Sequence, residues 1–161
     1  MSIRTSPILC RSPSKAPVGN VVVLGQATPA ARPIRRPLFL SRIPAGFPSP
    51  ADEYIETKLS LDEHLIQHEA ATFFLRVKGD SMINAGIHDG DLLIVDRALT
   101  PQDGNIVIAV LDGELTLKRL LLRDPEIILM PENPKYPPIT LNAERDLTLW
   151  GVVTNVVHSL R

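Results

Sequence analysis

The sequence predicts a mainly β domain preceded by a mobile, extended N-terminal arm. Three observations point there. Short apolar and β-branched runs recur about every dozen residues with turn residues between them. One pair of runs is joined by Asp112-Gly113, a strong short hairpin signal. Proline is crowded toward one end, with nine of the 15 in residues 1–50.

The elements follow in order. Residues 1–44 hold seven basic side chains (Arg4, Arg11, Lys15, Arg32, Arg35, Arg36 and Arg42) and no acid, leaving 10 basic residues against 18 acidic ones in the remainder. Each proline removes an amide donor and restrains its predecessor, so this stretch is expected to form neither a ladder nor a helix. The division expected is an extended, basic, Pro-rich arm over residues 1–50 and a folded body over 51–161. In the body, Ser60-Leu61-Asp62-Glu63 reads as a capping box opening one short helix through Leu61, Leu65 and Ile66. Strands are expected over Thr72–Lys78, Asp91–Asp96, Asn105–Leu111, Glu114–Leu120, Glu126–Met130 and Leu147–Val157. Such spacing argues for a compact, mainly antiparallel domain.

Composition sets limits on function. The chain of 161 residues, 22% charged and 44% hydrophobic, suits one soluble domain with a tail. Its single cysteine, Cys10, excludes an internal disulfide framework and fits a reducing compartment, so the cytoplasm is expected. No apolar run approaches the ~18 residues that span a bilayer. Val21-Val22-Val23-Leu24 is too short for a secretory signal core. The acid-free start mimics an organellar transit peptide, but its prolines break the amphipathic helix such a peptide needs. A basic arm could neutralise phosphates; without aromatics to stack on bases, a solvated tail is the simpler reading.

Three features carry chemistry. Ser81, in Gly79-Asp80-Ser81-Met82, follows a strand-ending glycine at a sharp turn where a hydroxyl projects and amides converge as an oxyanion hole. Alone this signal is weak, and a turn serine capping the next helical turn is the simpler reading. Lys118, in Leu115-Thr116-Leu117-Lys118-Arg119-Leu120, shares a strand face with Thr116 and Leu120. Burial there would lower its pKa and make it a general base; exposure would make it an edge-strand charge. Ile43-Pro44-Ala45-Gly46-Phe47-Pro48-Ser49-Pro50 lies where arm meets body: an extended peptide with a small Ala45 and an unobstructed Gly46. Nucleophile, base and substrate in one chain suggest self-cleavage.

These segments, with Leu65-Ile66-Gln67-His68, Asp89–Asp96, Asp112-Gly113-Glu114 and Gly151-Val152-Val153, resemble the LexA/UmuD family of self-cleaving serine peptidases from about Arg36 to Arg161. The resemblance implies the LexA/UmuD-type C-terminal peptidase β domain, with Ser81 as nucleophile and Lys118 as general base. It also implies an oxyanion hole from the Asp80 and Ser81 amides, and Ala45–Gly46 as the cut bond. By the same resemblance, cleavage is stimulated by RecA on single-stranded DNA. The processed form pairs as a homodimer and joins a UmuC-type Y-family polymerase, as in the SOS translesion enzyme DNA polymerase V. No cofactor, no membrane and no sequence-specific DNA contact are implied. The bond is Ala-Gly, where some UmuD proteins use Cys-Gly. The arm before Arg36 is longer than the family pattern.

Other constellations are weaker. His64 and His68 stand at a zinc-compatible i, i+4 spacing, without the intervening Glu or a third ligand. Asp89-Gly90-Asp91 reads as a strand-entry turn rather than a calcium loop, and Cys10 has no catalytic partner beside it. No Gly-rich phosphate loop is present in the sequence. Among rival functions, a LexA-type repressor needs a helix-turn-helix ahead of the cleavage site, which seven prolines in residues 1–44 oppose. A signal peptidase needs a membrane anchor. An inert β module leaves the coincidence of Ser81, Lys118 and Ala45-Gly46 unexplained.

Overall fold

The computed structural model describes residues 21–27, 34–39, 55–141 and 147–160. Ala45 and Gly46 lie outside them, in the stretch between the second and third strands. The fold is mainly β, as expected. Among the described residues, ten strands run β1 Val21–Gln26, β2 Arg35–Phe39, β3 Ile55–Ser60, β4 Thr72–Val77, β5 Leu92–Asp96, β6 Ile106–Leu111, β7 Glu114–Arg123, β8 Glu126–Met130, β9 Ile139–Leu141 and β10 Leu147–Val157. Eight form one sheet in the order β1-β4-β5-β10-β6-β7-β8-β9, and β2 pairs with β3 in a second. All the pairings are antiparallel.

Local chemistry accounts for much of this. The β6–β7 hairpin closes with Leu111 opposite Glu114. Its two turn residues, Asp112 and Gly113, have φ of 51° and 85°, the pair of positive angles that matches the right-handed strand twist. Strand β7 buries both faces. Leu117 joins Leu75, Leu93, Val95 and Ile108 in one core, while Leu120 joins Val107, Ala109, Leu129 and Leu149 in another. A strand packed on both sides has few exposed positions, which is why a lysine in it can be drawn inside.

Two expectations need correction. The proline-rich stretch does form ladder: β1 pairs with β4, Val21 opposite Val77, and β2 pairs with β3, Arg35 opposite Ser60. Val21–Gln26 contains no proline and is rich in valine, so the local sequence overrides the regional composition. Pro37 is tolerated because both members of a two-stranded sheet are edges. The capping box does not close either. Helix α1 spans Leu61–Leu65, but Ser60 makes no side-chain cap bond, and its buried Oγ has no hydrogen-bond partner among the described residues. Glu63 instead pairs with Arg35 at 3.1 Å, an exposed contact worth little to stability.

Candidate active site

The turn that carries Ser81 is tied at its base and anchored in the core. After β4, Val77 N–H donates to the Asp91 carbonyl at 2.9 Å and Gly90 N–H to the Val77 carbonyl at 3.0 Å, closing the loop. Gly79 adopts φ 97°, a conformation that side-chain-bearing residues rarely take, and its amide donates to Asp89 Oδ1 at 2.6 Å. Two apolar side chains, Met82 and Ile87, are buried to 1% exposure and fasten the turn to the core. Between these restraints sits Ser81, 7% exposed.

Lys118 comes to it from β7. Its side chain is 6% exposed, and Nζ stands 3.3 Å from Ser81 Oγ, 3.0 Å from Thr116 Oγ1 and 2.9 Å from the Leu117 carbonyl. Thr116 lies on the same strand face, as alternation requires. Burial lowers the Lys118 pKa from its ordinary value. A neutral amine has two N–H donors and one lone pair. Thr116 Oγ1 and the Leu117 carbonyl accept the two hydrogens, leaving the lone pair for the Ser81 hydroxyl. The arrangement can therefore take a proton from that hydroxyl.

A third segment, Pro131–Tyr136, braces the turn from outside. Asn84 N–H donates to the Glu132 carbonyl at 2.9 Å, and Asn133 Nδ2 donates to the Asp80 carbonyl at 2.9 Å. The Tyr136 hydroxyl donates to Asp80 Oδ1 at 2.6 Å, while Arg119, next to Lys118 on β7, pairs with Glu132. The Tyr136 hydrogen bond, helped by Lys135 and Asn133, holds the Asp80 carboxyl below the ordinary carboxylate value; the same bond raises the Tyr136 phenol. The Asp80 carbonyl and the Ser81 amide share one planar peptide. Fixing the carbonyl with Asn133 thus orients the Ser81 N–H. Nothing in the sequence reading singled out Asn133 or Tyr136, which act across 53 and 56 residues of chain. The available signal was an asparagine between two prolines in a break between strands.

The structure brings Asp80, Ser81 and Lys118 together. His64 and His68 take another course: His68 Nδ1 lies 2.6 Å from Asp96 Oδ2, and His64 is exposed on α1. Among the described residues, no helix is long and apolar enough to cross a membrane.

A serine on a pinned turn beside a buried lysine amine, in an antiparallel β domain, is the setting of a serine hydrolase that works without histidine. Comparison with known proteins agrees in kind. Residues 37–154 match the Peptidase S24-like family. The chain belongs to that family and is a serine peptidase of the self-cleaving kind. It is 54% identical to the SamA protein of Salmonella typhimurium over 125 residues, covering 78% of this chain and 86% of that protein. It is 47% identical to the MucA protein of Escherichia coli over 136 residues, covering 84% and 90%. A more distant relative is LexA repressor 1 of Geobacter sulfurreducens, 44% identical over 117 residues, covering 72% of this chain and 57% of the repressor. The resemblance to the LexA/UmuD family is borne out.

Proposed function

We propose that this chain is a UmuD-type SOS protein that cleaves its own Ala45–Gly46 bond and, once cut, serves a translesion polymerase. The 3.3 Å approach of Lys118 Nζ to Ser81 Oγ, with the lysine buried, carries the reading. The lysine amine takes the Ser81 proton as Oγ bonds to the Ala45 carbonyl carbon, and the Asp80 and Ser81 amides donate to the oxyanion. The oxyanion then collapses, the C–N bond breaks, and Lys118 delivers the proton to the Gly46 nitrogen. Water, deprotonated by Lys118, next hydrolyses the Ala45–Ser81 ester, freeing the Ala45 carboxyl and restoring the serine.

Tethering replaces an encounter in solution with a high local concentration, so a slow pair of groups still completes one turnover. A RecA filament on single-stranded DNA accelerates the step by favouring the docked arrangement, a shift of population without new catalytic groups. The product beginning at Gly46 forms a homodimer and joins a UmuC-type Y-family polymerase in the cytoplasm. Identities of 54% to SamA and 47% to MucA, against 44% to LexA repressor 1, support the UmuD-type role over a LexA-type repressor.

The experiment is mass spectrometry of the purified chain incubated with RecA, a nucleotide and single-stranded DNA. A fragment starting at Gly46 is expected, and an intact chain would overturn the reading. Co-purification with a Y-family polymerase, against retention on operator DNA, then separates mutagenesis factor from repressor. The brace has its own signature. Asn133→Ala frees the Asp80–Ser81 peptide and should slow cleavage by about tenfold, part of the 10²–10³ that a lost oxyanion donor costs. The pH dependence of the rate should be unchanged, because Lys118 is untouched.

A further inference from the structure

A second cluster lies at the opposite end of the Ser81 loop and plays no part in the chemistry above. Strands β5 and β10 pair with Leu92 opposite Val157. The next residue along each ladder is Asp91 on one strand and His158 on the other, so the register itself brings them together. His88 reaches the same point from the turn before Asp91. The ligand atoms of His88, Asp91 and His158 all lie within 4.8 Å of one another. Asp91 is 3% exposed, whereas the two imidazoles are 45% and 43% exposed, so a buried carboxylate meets two part-exposed rings.

The contacts within the cluster are uneven. His158 Nδ1 is 2.5 Å from Asp91 Oδ1, and the His88 amide donates to Asp91 Oδ2 at 2.8 Å. His88 Nδ1 is buried without a hydrogen-bond partner among the described residues, 3.7 Å from Asp91 Oδ2. That separation is too long for a hydrogen bond. It does fit two donors each about 2.1 Å from one ion, with an angle of about 120° between the bonds. The rings of His88 and His158 are 4.9 Å apart. Leaving a buried ring nitrogen unpaired costs free energy that a cation between nitrogen and carboxylate would offset.

We propose that His88, Asp91 and His158 bind one divalent first-row transition-metal ion of the zinc class, with water in the fourth position. Two imidazoles and a carboxylate are ligands of that class, and three protein ligands are the number found in open zinc sites. To accept the ion, the His158–Asp91 contact opens by about 1 Å, toward the donor spacing of a tetrahedral site. His158 is an exposed side chain just past the end of β10, where the strand pairing no longer holds it. Bound metal would then fasten the end of β10 to the foot of the loop carrying Ser81.

The test uses the full-length chain, stripped with chelator and titrated with zinc chloride by calorimetry. Cobalt chloride serves as an optical probe. One zinc per chain is expected, together with cobalt absorption bands of a four-coordinate site that zinc displaces. His88→Ala and His158→Ala should each weaken zinc binding by at least about tenfold, while His64→Ala leaves it unchanged. Melting curves without metal confirm that the variants fold, and the wild-type titration needs no variant. Absence of stoichiometric binding in the wild-type chain would overturn the proposal. So would binding retained by the His88→Ala/His158→Ala double variant, which would reduce the cluster to a hydrogen-bonded staple.

Discussion

Ser81→Ala protein will remain at full length with RecA, nucleotide and single-stranded DNA, under conditions that cut the wild-type chain. The substitution deletes one oxygen from a nearly buried side chain and leaves the flanking anchors Met82 and Ile87 in place. Lys118 keeps its contacts with Thr116 and the Leu117 carbonyl. The melting temperature should therefore barely change, while the cleavage rate falls by about a thousandfold or more, as loss of a nucleophile does in other serine peptidases. Gly46→Glu should give the same uncut product by obstruction at the scissile bond, with the Ser81–Lys118 pair intact. A new N-terminus at Gly46 from purified Ser81→Ala protein would remove Ser81 from its role.

Unassisted cleavage should accelerate with pH, about tenfold per unit below the Lys118 pKa and level above it. The sign follows from burial. Desolvation disfavours the ammonium, so the folded-state pKa lies below the ordinary value of 10.5, and the reactive neutral fraction rises as pH climbs toward it. A rate flat or falling between neutral and alkaline pH would contradict the assignment. Stability moves in the same direction. Above 10.5 the amine is neutral in both folded and unfolded chains, and burying it carries no proton-linked penalty. As pH drops below that value the unfolded chain binds the proton first, so stability is lost until the folded-state pKa is reached. Lys118→Met removes this penalty. It should abolish cleavage and raise the melting temperature at neutral pH by a few degrees, measured by calorimetry.

The sequence disclosed those parts of the molecule that depend on neighbours in the chain. Strands β4 to β8 and β10 announce themselves by apolar runs between turn residues, and Asp112-Gly113 fixes one hairpin outright. Strand β9 has only three residues, too few to show a period. Strand β1 was visible as an apolar run, but regional proline content spoke against it until its pairing with β4 was seen. At the site, Ser81 and Lys118 were recognisable from local pattern and family motif. Their approach, and the depth of the lysine, come from strands that sequence spacing does not order. Asn133 and Tyr136 were invisible for the same reason, since each meets Asp80 only through folding. The capping box failed in the other direction: Ser60 ends a strand paired with β2, and that ladder decides where its backbone lies.

Strand β10 lies between β5 and β6, which are hydrogen-bonded to it and not to each other. The ladder bearing the Ser81 turn and the ladder bearing Lys118 are thus stitched together by the stretch Leu147–Val157, which follows both of them in the chain. A ribosome-bound chain has Ser81 and Lys118 already synthesised while this stitch is still missing. The meeting of those two side chains therefore rests on the strand that comes last in chain order among the described elements.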